Sequence, residues 1–102
     1  MNRQPLTDGT GAWFDRDRAK TWEEGSYHDG RNFISHATGS QWEHEQLYRI
    51  ASGTWVLHSW SQWQGSGESW VAISDAEATR WLAQNGHEPH ESLTEAYAEL
   101  EI

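Results

Sequence analysis

Tryptophan supplies most of the apolar surface of this sequence and decides what the chain can fold into. There are eight Trp residues, whereas Leu, Ile, Val and Phe together contribute only 14 of 102 residues. So few aliphatic side chains, combined with a net charge of −9, would by themselves indicate a disordered chain. Each buried aromatic side chain, however, removes roughly 150–250 Å² from water. The sequence therefore predicts a folded domain with an aromatic core.

The length and the N-terminal composition predict one domain preceded by an arm. A chain of 102 residues has room for a single domain. Residues 1–12 contain Pro5, Gly9 and Gly11 and little that is apolar, so we expect a flexible N-terminal arm and a domain at 13–102. The chain has no Cys, no signal-peptide core and no membrane-spanning apolar run. These features predict a cytoplasmic protein that does not bind membranes.

Short apolar segments separated by turn residues predict an antiparallel sheet. The candidate strands cover residues 19–24, 32–36, 45–50, 54–64 and 68–73. The link Ala51-Ser52-Gly53 is the clearest hairpin turn, and links this short favour antiparallel pairing of successive strands. We expect an antiparallel meander of about four strands within residues 19–74.

Two helices are predicted after the sheet. Ser74 and Glu77 have the spacing of a capping box, and Asn85-Gly86 is a typical helix end, which predicts a helix over 75–85. A second helix, beginning at a proline and carrying apolar residues at helical spacing, is predicted over 89–101. The sequence thus predicts an α+β fold with two C-terminal helices packed on one face of the sheet.

The alternation along the strands and the periodicity of the helices also predict the buried core. The residues expected to be mostly buried are Trp55, Leu57, Val71, Ile73, Trp81, Leu82, Leu93, Tyr97 and Leu100.

Negative charge is concentrated in the C-terminal part of the chain. Residues 1–40 hold five basic and six acidic residues, whereas residues 41–102 hold two basic and ten acidic residues. An acidic surface of this kind argues against direct binding to nucleic acids or anionic membranes, both of which attract cationic proteins.

The predicted last helix carries Glu91, Glu95 and Glu99 at a spacing of four residues, without a neighbouring cation. Each such like-charged pair costs a helix roughly 0.2–0.5 kcal/mol. A cost without local compensation is typical of a functional surface, although acidic surfaces also serve solubility. We expect these glutamates to bind a basic surface on a partner protein.

A second candidate surface is aromatic. Trp60 and Trp63 lie in a segment rich in Gln, Ser and Gly, and an exposed Trp beside amides can stack on a ligand or anchor a protein interface. The alternation within residues 54–64 places these two Trp on opposite faces of one strand, which predicts that at least one is partly exposed. The alternative is that both replace missing aliphatic residues in the core.

Catalytic and metal-binding motifs are weak. His87 and His90 have an H-x-x-H spacing, but Pro89 between them prevents the helix that would align the two imidazoles. The sequence contains no H-E-x-x-H, G-x-S-x-G, P-loop or dinucleotide-binding motif. We expect no bound metal and no cofactor; a hydrolase or metal-binding protein built from scattered His and Glu remains an alternative.

Three segments carry a resemblance to known sequences. They are NFIS with ATGSQWEHEQLYR (32–35 and 37–49), WSQWQGS (60–66) and EATRWL (77–82). The chain resembles small microbial proteins to which no activity is assigned, and this implies a free-standing microbial domain without supplying any site residue.

The function expected from the sequence is a non-enzymatic acidic protein-binding module, such as a regulator or inhibitor of a basic partner. Inhibition by imitation of nucleic-acid charge, as in some anti-CRISPR proteins, is one version. A small-ligand-binding domain that uses the Trp/Gln face is the other alternative.

Overall fold

The computed structural model describes residues 1–62, 67–98 and 101, without the side chain of residue 96, and it confirms an α+β fold with antiparallel strands. The elements are β1 Arg3–Pro5, β2 Trp13–Asp15, β3 Lys20–Glu23, β4 Ser26–His28, β5 Phe33–Ser35, β6 Glu43–Arg49, β7 Trp55–Ser61, β8 Ser69–Ile73 and helix α1 Asp75–Gln84. A 3-10 turn, Arg16–Arg18, joins β2 to β3.

The described strands form three antiparallel sheets, so the prediction of a single four-stranded meander was wrong. The main sheet has the order β3-β6-β7-β8, and the pairs β1-β2 and β4-β5 are separate. Residues 32–36 were expected in the main sheet but contribute β5, which pairs with β4. The hairpin β4-β5 is therefore an insertion between β3 and β6, which are neighbours in the sheet but distant in sequence.

Helix α1 begins and ends close to the predicted positions. The Ser74 hydroxyl accepts the Glu77 amide at 3.1 Å, and the Glu77 carboxylate accepts the Ser74 amide at 3.3 Å, which completes the capping box. Asn85 caps the C-terminus, and Gly86 adopts a φ of 78°, a left-handed conformation that favours glycine. Local capping chemistry thus fixes both ends of α1.

The prediction of a second C-terminal helix over residues 89–101 was wrong. Its described part contains a 3-10 turn, Glu91–Leu93, and a five-residue helical turn, Thr94–Ala98. The His90 side chain accepts the Ser92 amide, and the Thr94 hydroxyl donates to the Glu91 carbonyl, so local side-chain bonds compete with a regular helix. Residues 99, 100 and 102 lie outside the description.

Both faces of the main sheet are covered. On one face, α1 and Leu93 pack over Leu47 and Trp55 through Ala78, Trp81 and Leu82. On the other, Phe14 from β2 packs with Tyr48, Val56 and Trp70. Aromatic residues from alternate strand positions thus fill two cores, one on each side, as their high number in the sequence requires.

The N-terminal hairpin supplies the second covering layer. Residues 1–12 were predicted to be a flexible arm, and they contain β1, which pairs with β2. Thr7 donates its amide to the Trp70 carbonyl at 2.8 Å, and the Thr7 hydroxyl accepts the Trp70 amide at 2.8 Å. These contacts attach the hairpin to β8, the edge strand of the main sheet. The mobility of the segment stays a prediction.

The predicted core is correct for Trp55, Trp81, Leu82 and Leu93, which are buried. Leu57 and Ile73 are half-buried against the helix-side core. Two predictions were wrong: Val71 is 36% exposed, and Tyr97 is 44% exposed. Val71 lies on edge strand β8, and Tyr97 lies in the short helical turn, which buries less than a full helix would. Leu100 lies outside the described residues.

Within the described residues, no helix combines the length and the apolar character needed to cross a membrane.

Candidate interaction surface

The predicted acidic surface is exposed wherever the structure describes it. Glu91 lies in the 3-10 turn and Glu95 in the helical turn after it, and both are solvent-exposed. Between them, Leu93 is 1% exposed and belongs to the helix-side core. The segment is therefore attached to the domain through Leu93 while its carboxylates face solvent. Glu99 lies outside the described residues.

Lysine and arginine do not neutralise these carboxylates. Among residues 1–62 and 67–98, the carboxylate ion pairs involve only histidines or the terminal amino group: His44 with Glu24, His58 with Glu68, and the Met1 amino group with Asp17. Of the two arginines after residue 40, Arg49 lies over the Trp55 ring, 5.8 Å from its centroid, and Arg80 is exposed on α1. Glu91 and Glu95 therefore keep their negative charge at the surface without a Lys or Arg partner among the described residues.

Charge is also divided between the two ends of the main sheet. At one end, the strand register pairs Lys20 with Arg49. At the other end lie Glu43, which pairs with Ser61, and Glu68, which precedes β8. Glu43 and Glu68 are exposed. The sheet thus presents an acidic end, remote from the Lys20–Arg49 pair.

Trp60, the described member of the predicted aromatic pair, lies in a row of alternating imidazole and indole rings. Its ring centroid is 4.6 Å from that of His58 and 5.7 Å from that of His44. His58 in turn stacks on Trp70, with centroids 3.7 Å apart and planes 8° apart. The register explains the row, since His44 pairs with Trp60 and His58 pairs with Trp70.

This His/Trp row changes how Trp60 is interpreted. The indole is half-buried and already contacts two imidazoles, so it offers less free ring surface than an exposed stacking platform would. Trp63 lies outside the described residues. His44 and His58 were not among the predicted site residues, because the row forms across three strands. The signal that could have found it is the His58-x-Trp60 alternation, read together with the register of β6.

Glu24 joins three segments at the acidic end of the sheet. Its Oε2 accepts the Ser35 hydroxyl at 2.5 Å and the Glu45 amide at 2.9 Å, while its Oε1 lies 2.5 Å from His44 Nδ1. The carboxylate therefore lies between the serine and the histidine. A nucleophilic serine needs the histidine next to its hydroxyl, with the carboxylate beyond it. The Glu24 arrangement fits a structural link rather than a catalytic triad.

Glu45 lies in a polar groove of about 320 Å³ near the ends of β6, β7 and β8. Its Oε1 accepts the Trp81 indole N–H at 3.0 Å, and Ser59 donates to Oε2 at 3.5 Å. Burial raises the pKa of Glu45, and the Glu24 carboxylate adds to the rise, although both hydrogen bonds act in the opposite direction. Glu45 is thus a candidate proton-carrying group in this groove.

The histidines that the sequence offered as metal ligands have separate contacts. His87 Nε2 lies 2.5 Å from the Glu23 carbonyl, and the His90 ring packs edge-on against Trp22 and Trp55. The described residues contain no group of three His, Asp or Glu side chains placed to hold a metal ion.

No protein-family model matches the chain, and neither curated proteins nor solved structures show significant similarity to it.

Proposed function

We propose that this protein is a non-enzymatic binding module whose acidic C-terminal surface contacts a basic surface of a partner protein. The observation that carries the proposal is that its exposed carboxylates are not paired with Lys or Arg within the described residues. Exposed, unpaired charges of one sign raise the rate at which an oppositely charged partner associates.

Glu91 and Glu95 are the described centre of this surface, and the sequence adds Glu99 one further step along the chain. The burial of Leu93 fixes the backbone that carries these carboxylates on a packed domain, so that backbone does not have to be ordered when the partner binds. A target that normally binds nucleic acid would present the required basic surface, and the module would then act as an inhibitor by occupying it.

Affinity capture from the native host tests this proposal. The parent chain and a Glu91→Gln, Glu95→Gln, Glu99→Gln variant would each be immobilised, exposed to lysate at low salt and eluted with a salt gradient for mass spectrometry. We expect a basic protein that elutes at moderate salt from the parent and is strongly reduced on the variant. If the parent enriches no basic protein relative to the variant, the proposed function is wrong.

A further inference from the structure

A second potential site lies on the opposite side of the main sheet, under the N-terminal hairpin. There, the loop between β1 and β2 covers a pocket of about 280 Å³. The walls are almost entirely apolar and include Leu6, Phe14, Ile50, Val56 and Ala72. This pocket is separate from the acidic surface and from the groove at Glu45.

The fold explains why the pocket is open. Ala72 lies opposite Val56 in the sheet, and its methyl group leaves space that a larger side chain would fill. The loop above is fixed at its base, where the Leu6 amide donates to the Ala12 carbonyl at 2.9 Å, and at its side by the Thr7 contacts with Trp70. The loop that covers the pocket and the strands beneath it are therefore both held by backbone hydrogen bonds, so the pocket is formed before a ligand binds.

The volume of the pocket and the charges near its mouth restrict the size and the charge of a ligand that can bind. An engineered apolar cavity of roughly 150 Å³ binds benzene, so a space nearly twice as large accommodates two fused rings. Among the lining residues, Asp8 carries one negative charge. The Arg3 guanidinium, 4.5 Å from the ring centroid of the lining residue Trp13, carries one positive charge nearby. Because these charges offset each other and the interior is apolar, a neutral ligand fits best.

We infer that this pocket binds a small neutral aromatic molecule of one or two rings, with its rings against Leu6, Ile50 and Ala72. Trp13, which is 48% exposed, forms part of the wall at the mouth and adds an indole ring against which the ligand can pack. The inference is independent of the proposed acidic interface, which uses other residues.

Indole is a suitable probe, and the full chain labelled with ¹⁵N is the sample. We expect saturable shifts of the backbone amides of Leu6, Ala12, Val56 and Ala72 on addition of indole. The neutral probe should bind more tightly than indole-3-acetate and tryptamine, which carry the same rings with opposite charges.

Two variants that introduce the same phenylalanine side chain on opposite faces of β8 separate binding in the pocket from nonspecific binding. Ala72→Phe fills the pocket and should weaken indole binding at least about tenfold. Val71→Phe is the matched control, since Val71 is the adjacent residue of β8, points to the opposite face and is already exposed, so binding should be unchanged.

Three results would overturn the inference: shifts that do not saturate, an Ala72→Phe variant that binds indole like the parent, or a charged probe that binds more tightly than indole. If the same amides shift with protein concentration alone, a second copy of the chain covers the pocket and the inference is also wrong.

Discussion

The imidazole of His58 stacks on the indole of Trp70 with ring centroids 3.7 Å apart, while its Nε2 lies 2.7 Å from the Glu68 carboxylate. His58 is largely buried and Glu68 is exposed. The histidine therefore links the aromatic side chains of the sheet face to a carboxylate at the acidic end.

Removal of the His58 hydrogen bond should raise the pKa of Glu68. This bond is the largest cause that holds the pKa of Glu68 below its ordinary value of 4.5. A carboxylate with a lowered native pKa stabilises the fold above its unfolded pKa, and this contribution is lost as the pH falls through the native pKa. His58→Phe keeps a stacked ring but removes the bond. Carboxyl NMR titration should show an upward shift for Glu68; an unchanged pKa would mean that the bond is weak in solution.

The pKa of Glu45 is shifted in the opposite direction to that of Glu68, so its effect on stability should have the opposite pH dependence. Because burial raises its native pKa above 4.5, the folded state holds this proton more tightly than the unfolded chain. Stability contributed by the protonated group is therefore lost as the pH rises through the native pKa. Glu45→Gln keeps an oxygen for the Trp81 indole N–H and removes the charge. Its midpoint of thermal unfolding should exceed that of the parent at pH 7, and the difference should shrink below pH 4.5. A destabilised variant at pH 7 would contradict this account.

Trp81 should be essential for stability. It is 5% exposed, belongs to the helix-side core and donates to Glu45. Trp81→Ala should lower the free energy of unfolding by about 3–5 kcal/mol in denaturant titrations, enough to unfold a marginally stable domain. Trp81→Phe, which keeps most of the packing and loses the hydrogen bond, should cost less. Equal stability of the parent and the Ala variant would show that Trp81 is not in the core.

Gly25 should not tolerate a side chain. Its amide donates to Asn85 Oδ1 at 3.0 Å, and a Cβ at this position would lie 2.9 Å from the Asn85 carbonyl oxygen and 3.0 Å from the His36 ring. Gly25→Ala should therefore cost about 1–3 kcal/mol, the typical effect of overpacking. Gly67→Ala is the matched control, because among the described residues no atom outside its chain neighbours lies within 4 Å of its added Cβ. Equal stability of the two variants would contradict the close contact.

Much of the fold follows from local sequence signals, whereas the arrangement of the sheets does not. The capping box at Ser74 and the turn before Trp55 are formed by neighbours in sequence, so their positions could be predicted. The pairing of β3 with β6 depends on contacts such as that between Trp22 and Leu47, across an insertion. Periodicity along one strand carries no information on such a partner.

In the candidate site, too, features formed by neighbours in sequence could be predicted, whereas features formed by distant segments were not. Charge and spacing predicted that Glu91 and Glu95 would be exposed, because an acidic residue beside an apolar anchor rarely lies inside. The His/Trp row would have required the strand register in addition to the sequence pattern, and the covering of the second sheet face by Phe14 could not be predicted. Both arise where segments distant in sequence meet, and residues 1–12 gave no apolar pattern to indicate that Leu6 packs against the sheet.

The proposed interface depends on the position of the negative charge, and the association rate of the captured partner tests this position directly. Two triple variants would be compared. The Gln variant carries Glu91→Gln, Glu95→Gln and Glu99→Gln. The Asn control carries Asp8→Asn, Asp17→Asn and Asp29→Asn, which change the net charge equally at three exposed N-terminal positions. Association would be measured by stopped flow from low to high ionic strength, since salt screens exposed charges over about 8 Å at physiological concentration. The account predicts slow, nearly salt-independent association for the Gln variant and almost parental behaviour for the Asn control. Equal rates for the two variants at low salt would contradict a localised acidic interface.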